Sequence, residues 1–216
     1  MWKRSSLLCA LLVFAAVTSS CIFDAEEGGG DDVVKSDYMP LTTKVAVLNN
    51  LEVAYNQRKI QEYEKILDNG FTFFLSEGDV NGGLPVQWDR STEIEANTNL
   101  FSETSDPQGR WPLCTSIQMD VKFDDPLIWT EIPGPGETWY TTTVFYEFQI
   151  EVEPDTNFLP VPGAKAQFIV RNAGTDDAPQ WQLLEWRDLG AGNLLALRAT
   201  STEESTWGKV KSLYRG

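Results

Sequence analysis

The chain has 216 residues, with 17 basic against 32 acidic side chains, a formal charge of −15, three cysteines and no histidine. The missing histidine excludes Ser-His-Asp hydrolysis, Cys-His proteolysis and His-containing zinc sites, and the acidic excess argues against a nucleic-acid partner. Eight Trp, eleven Phe and six Tyr supply the bulk of a real core, and the length suits one domain with an appendage.

Lys3 and Arg4 open the chain, and Leu7 to Val17 is an apolar run without charge. It is too short for a membrane-spanning helix, which needs about 20 residues, and fits the apolar region of a secretory signal peptide. Ser19, Ser20 and Cys21 resemble the lipobox of bacterial lipoproteins, in which the cysteine becomes the lipidated N-terminus. Thr18 departs from that pattern, standing where Leu or Val is usual. Ordinary signal-peptidase cleavage near Ser20 and an uncleaved anchor are the alternatives. Loss of residues 1–20 leaves 15 basic against 32 acidic residues, a net charge of −17. Cys9 departs with the signal and Cys21 carries the lipid. Cys114 then has no disulfide partner, and with no histidine to activate it reads as a small buried hydrophobe.

Residues 21–40 form an acidic, Gly-rich tether through Glu26, Glu27, Gly28 to Gly30, Asp31 and Asp32. The domain follows over 41–190. Val47, Leu51, Ala54 and Tyr55 predict a first helix, and Ile60, Tyr63 and Leu67 a second, closing at Asp68-Asn69-Gly70. Phe71 to Ser76 reads as a short strand and Glu77 to Gly83 as a turn-rich loop. Asp89 is placed to cap a third helix running to Phe101, with Glu93 favouring its dipole and Ile94, Asn97 and Phe101 aligned.

Beyond Pro112 the period changes from helical to alternating. Ile117, Met119, Val121 and Phe123 mark one strand, and Pro133 to Gly136 a turn. Val144, Tyr146, Phe148, Ile150 and Val152 mark a long strand, with Glu147, Glu151 and Glu153 on its polar face. Pro154 to Gly163 reads as a turn. Ala166, Phe168 and Val170 follow, with Ile169 breaking the polar side, and Trp181 to Arg187 closes the series. Asp124-Asp125 and Asp176-Asp177 read as turn residues. The class is α+β, three N-terminal helices packed on a curved antiparallel sheet. Residues 191–216 end in an amphipathic segment, Trp207, Val210, Leu213 and Tyr214 with Lys209, Lys211 and Arg215 between. It is expected to dock on the domain, the alternatives being partner recruitment or contact with anionic lipid.

This element order resembles the nuclear transport factor 2-like (SnoaL-like) superfamily. The local match lies in Ala54 to Ile60, Tyr63, Leu67 and Phe71-Thr72-Phe73, and in the closing stretch Trp181 to Asp188. The resemblance implies a cone with an apolar pocket at its open end, used by different members for isomerisation, dehydration, ligand binding or partner binding, and often a homodimer. Isomerases of this type need an Asp base in the pocket, which no residue here can be matched to, and dehydratases lean on histidine.

Candidates for lining such a pocket are Tyr55, Trp88, Trp139, Tyr146 and Trp186, with core packing as the competing reading. Trp129 and Trp139, beside the Pro133 turn, are a lesser candidate for a sugar platform. Glu147, Glu151 and Glu153 read as a solvated face rather than a glycosidase pair. Asp79 to Gly83 lacks the later ligands of a calcium loop and reads as a turn. No metal or cofactor is called for. The favoured reading is a lipid-anchored protein of the cell envelope, outer membrane over inner because Ile22 gives no Asp-type retention signal. Its domain binds a small hydrophobic ligand or a protein; the alternative is a lipid-anchored isomerase or dehydratase.

Overall fold

The computed structural model describes residues 37–123, 126–153, 157–158, 161–191 and 206–215. The signal segment, Cys21, the tether as far as residue 36, Asp124-Asp125, residues 154–156 and 159–160, and residues 192–205 lie outside the described residues. The rest of the expected 154–163 turn is strand, Asn157–Phe158 and the start of a strand at Val161, because both segments pair with the long strand before them.

Helix α1, Lys44–Asn56, starts where Thr43 Oγ1 accepts the Ala46 amide at 3.2 Å. Val47, Leu51, Ala54 and Tyr55 are all 0% exposed, so the expected stripe faces the core. Asn56 then grips the backbone of strand β3 (Cys114–Lys122): its Oδ1 accepts from Met119 N at 2.6 Å and its Nδ2 donates to Met119 O at 3.1 Å. The amide side chain thus completes hydrogen bonds a neighbouring strand would otherwise supply.

Helix α2, Ile60–Ile66, ends earlier than the sequence predicts. Leu67 is already extended and begins strand β1, Leu67–Phe74. Gly70 does not close a helix; its N–H donates to Asp68 Oδ1 at 2.7 Å inside an irregular stretch of β1. The local glycine signal loses to pairing with the last strand. The expected loop over 77–83 contains a short helix, α3 (Glu77–Asn81), capped by Ser76. Strand β2, Gln87–Asp89, pairs with β1 and leads into α4, Arg90–Leu100, where Asp89 Oδ1 accepts the Thr92 amide at 2.9 Å.

The remaining strands are β4 (Thr130–Pro133), β5 (Thr138–Val152), β6 (Asn157–Phe158), β7 (Val161–Asn172) and β8 (Trp181–Ala191). The sheet order is β2-β1-β8-β7-β5-β3, with β4 and β6 also paired to β5. Among the described residues every pairing is antiparallel except β1 with β8. That one parallel pair brings the first long strand beside the last and sets Phe73 opposite Trp186. Ile169 and Val170 are both buried because the β7–β8 register shifts between them, which is why Ile169 breaks the alternation.

Tyr146, Phe148 and Trp186 point to the face of the sheet that carries the helices, and the core is continuous from α1 to that face. A last helix, α5 (Trp207–Leu213), is capped by Thr206 and buries Trp207, Val210 and Lys211. Tyr214, at its end, is 0% exposed while Leu213 is 48% exposed. The buried face therefore runs Trp207, Val210, Lys211 and Tyr214, with Lys211 in the place the predicted stripe gave to Leu213. No helix among the described residues is long and apolar enough to cross a membrane.

Candidate functional site

The centre of the domain is aromatic. The Tyr55 ring makes edge contacts with Tyr63, Phe101, Phe148 and Trp207 at 5.1–5.5 Å between centroids. Trp207 stacks on Phe148 at 4.0 Å, and Trp186 lies 6.3 Å away, inclined to it by 28°. A residue of the C-terminal helix thus occupies the space that the sheet and α1 enclose.

Set into this apolar body is a charge pair. Glu93, in the first turn of α4, and Lys211 of α5 are each 0% exposed, and Lys211 Nζ reaches both Glu93 oxygens at 2.8 Å. Burial of two charges is costly, and each lone pair left unused raises the cost. Here the carboxylate is fully engaged. Its Oε1 accepts from the Tyr63 hydroxyl at 2.5 Å and from Asn97 Nδ2 at 2.9 Å, while Oε2 accepts from Trp88 Nε1 at 2.7 Å. Asn97 is held in turn by the Tyr55 hydroxyl at 2.7 Å. Three rings of the domain surround the ammonium: Phe73 at 3.2 Å, Trp186 at 4.8 Å and Trp88 at 5.4 Å from Nζ to centroid. Burial lowers the Lys211 pKa to about 8, against the opposing pull of Glu93. Burial, then the Glu93 charge, pushes Tyr55 and Tyr63 well above the usual tyrosine range.

A second polar group lies along β8. Asp188 Oδ1 accepts the Gly190 amide at 2.8 Å. Its other oxygen and the Tyr146 hydroxyl influence each other's ionisation, yet among the described residues neither meets a partner in strict hydrogen-bond geometry. Burial raises Asp188 to about 6, opposed by the Gly190 amide, and raises Tyr146 well above the tyrosine range. Trp186 Nε1 and Trp207 Nε1 are also buried without a partner among the described residues. Asp79, buried in α3, accepts from the Ser76 hydroxyl at 2.8 Å and from the Thr206 hydroxyl. Its carboxylate anchors the start of α5 rather than shaping a turn or a calcium loop.

Four of the five expected pocket residues, Tyr55, Trp88, Tyr146 and Trp186, come together here. Trp139 does not. It lies in the β4–β5 hairpin, its Nε1 donating to Glu137 Oε1 at 2.8 Å and its ring lying where any side chain at Gly134 would stand. Cys114 is buried, and burial raises its thiol to about 11, as fits a packing residue. A cleft of about 530 Å³ beside β5, with Phe123, Ile128 and Phe145 in its wall, contains none of the five.

Glu93, Asn97, Lys211 and Asp188 were not legible as a group. The buried face of α4 is Glu93, Ala96, Asn97 and Leu100, one position round from the predicted stripe of Ile94, Asn97 and Phe101. A Glu in a first turn and a Lys in a last turn read as dipole partners of exposed helices, and nothing local marks them as buried.

No family model matches the chain, and no curated protein does. Solved structures do. A ketosteroid isomerase-like protein from Erwinia carotovora atroseptica is 14% identical with a TM-score of 0.44, the match covering 68% of this chain and 93% of that one. A nuclear transport factor 2-like protein from Cytophaga hutchinsonii is 12% identical with a TM-score of 0.37, covering 68% and 93%. ActVI-ORFA from Streptomyces coelicolor is 12% identical with a TM-score of 0.42, covering 67% and 91%. These are similarities at low identity, and none of them reaches a side chain of the site.

Proposed function

We propose that the chain is a lipid-anchored protein of the cell envelope whose domain is a non-catalytic module for a small hydrophobic ligand or a protein partner. The observation that supports the non-catalytic part is Trp207. Its ring fills the interior between Phe148 and Trp186, and Lys211 behind it neutralises the best-placed carboxylate. Catalysis by general acid and base needs a proton-transfer group open to substrate, and Glu93 is closed by four donors. The isomerase or dehydratase alternative rests on Asp188 beside Tyr146, an acid raised toward neutrality next to a tyrosine.

Two experiments test this reading. Radiolabelled palmitate is expected to enter the wild type and not a Cys21→Ala variant; equal labelling of both would remove the anchor. Native mass spectrometry of the full-length protein from its envelope is expected to show a retained ligand or partner mass. A bare chain from the envelope that also takes up nothing from an envelope extract would end the binding reading.

A further inference from the structure

The contacts of α5 define the molecule that would replace it. Of the four donors on Glu93, three belong to the body of the domain: Tyr63, Trp88 and Asn97. The carboxylate is therefore held in place independently of Lys211. Phe73, Trp88 and Trp186 frame the position of Nζ, and rings around a carboxylate-paired ammonium are the means by which proteins recognise organic cations. As a stability device this is poor, since apolar side chains of similar volume hold a helix at lower cost than a buried ion pair.

The fit of α5 is also incomplete. Trp186 Nε1 and Trp207 Nε1 are buried without partners among the described residues, and such orphans are uncommon in a finished core. The helix has seven residues, too few to persist without its docking contacts. Its two deepest groups, an indole at Trp207 and an ammonium at Lys211, stand one turn apart, with Nζ 5.2 Å from the Trp207 ring centroid.

We propose that the interior is a binding site for an aromatic primary amine in its ammonium form, and that α5 fills it as an internal stand-in, Trp207 for the ring and Lys211 for the cation. This rests on the binding reading above and names its ligand class. The ring stacks on Phe148, the ammonium meets Glu93 inside the cage of Phe73, Trp88 and Trp186, and α5 leaves as the amine enters. Tryptamine carries both groups on a short ethyl linker, and 3-methylindole carries the ring alone.

Calorimetric titration of the full-length protein and its Lys211→Ala variant tests the assignment. Tryptamine is expected to bind the variant about tenfold more tightly than 3-methylindole does, and to bind the wild type more weakly because α5 competes. Equal affinity for the two compounds, or no tryptamine binding by a variant with a wild-type circular dichroism spectrum, would overturn it. Should the variant not fold, hydrogen exchange on the wild type decides: saturating tryptamine is expected to speed exchange of the α5 amides by about tenfold, and unchanged exchange would count against the site. A retained envelope ligand without an aromatic ring or a cation would discard this assignment and leave the binding reading in place. A bare chain that also takes up nothing from an envelope extract would remove both.

Discussion

Lys211 and Glu93 form an ion pair with no solvent exposure on either side chain, joining the C-terminal helix to the first turn of α4 across 118 residues of sequence. Removing one partner strands the other charge in a low-dielectric core, at a cost of about 3–5 kcal/mol. Lys211→Met is therefore expected to lower the urea-unfolding free energy by that amount. Lys211→Met with Glu93→Gln should recover part of the loss, because glutamine removes the stranded charge and its one amide oxygen still accepts from Tyr63 and Asn97 or from Trp88. A double variant no more stable than the single would mean that packing, not charge, dominates the pair.

Asp188 sets a pH dependence with a definite sign. Its folded value is about 6 against an ordinary 3.8, so between these values the folded chain holds a proton that the unfolded chain has released. The resulting stability is fully present below the unfolded value and is lost as pH rises through about 6. The shift corresponds to roughly 3 kcal/mol. An Asp188→Asn variant, which cannot titrate, is expected to gain on the wild type by roughly 2–3 kcal/mol between about pH 4 and about pH 7. Tyr146, Asp79 and Lys211 act on the same carboxyl. Unfolding curves for both proteins at the two pH values measure the difference, and parallel behaviour would place Asp188 in water.

Gly208 brings the α5 backbone against the side chains of Asp79 and Leu75. A methyl group there would run into the Asp79 carboxylate that holds Thr206. Gly208→Ala is expected to loosen α5, costing about 1–3 kcal/mol in stability. Hydrogen exchange should locate the change in α5 and spare the amides of α1. Unchanged exchange in α5 would show that the contact yields without disturbing the helix.

Asn56 carries the join between α1 and β3. Asn56→Ala leaves the Met119 N–H and C=O without their partners, an expected loss of about 1–3 kcal/mol by thermal or urea unfolding. Asn56→Asp keeps the acceptor for Met119 N but sets a carboxylate oxygen against Met119 O, so it should recover none of the loss. Wild-type stability in either variant would mean that these bonds contribute nothing.

Much of the architecture was legible in the chain because it rests on local periodicity. The stripe of Val47, Leu51, Ala54 and Tyr55, the Asp89 cap and the alternation from Val144 to Val152 each state an element and its buried face. Elements defined by distant pairing were not legible. Strand β1 begins at Leu67 because β8 pairs with it, and β2 exists because β1 offers it an edge. The same division holds for the site. Tyr55, Trp88, Tyr146 and Trp186 declare themselves by size and apolar surface, whereas Trp139 makes the same declaration and goes to a hairpin.

The sequence by itself determined a histidine-free, acidic α+β chain with an aromatic core and an amphipathic end, since composition and spacing are properties of neighbours along the chain. Only the tertiary structure decided that Glu93 and Lys211 are buried. A charged side chain enters a core when its counter-charge and hydrogen-bond donors arrive together, and here they arrive from α2, β2, α4 and α5. The absent histidines removed one set of chemistries. The folded chain replaced the question with another: what else fits where Trp207 and Lys211 now lie.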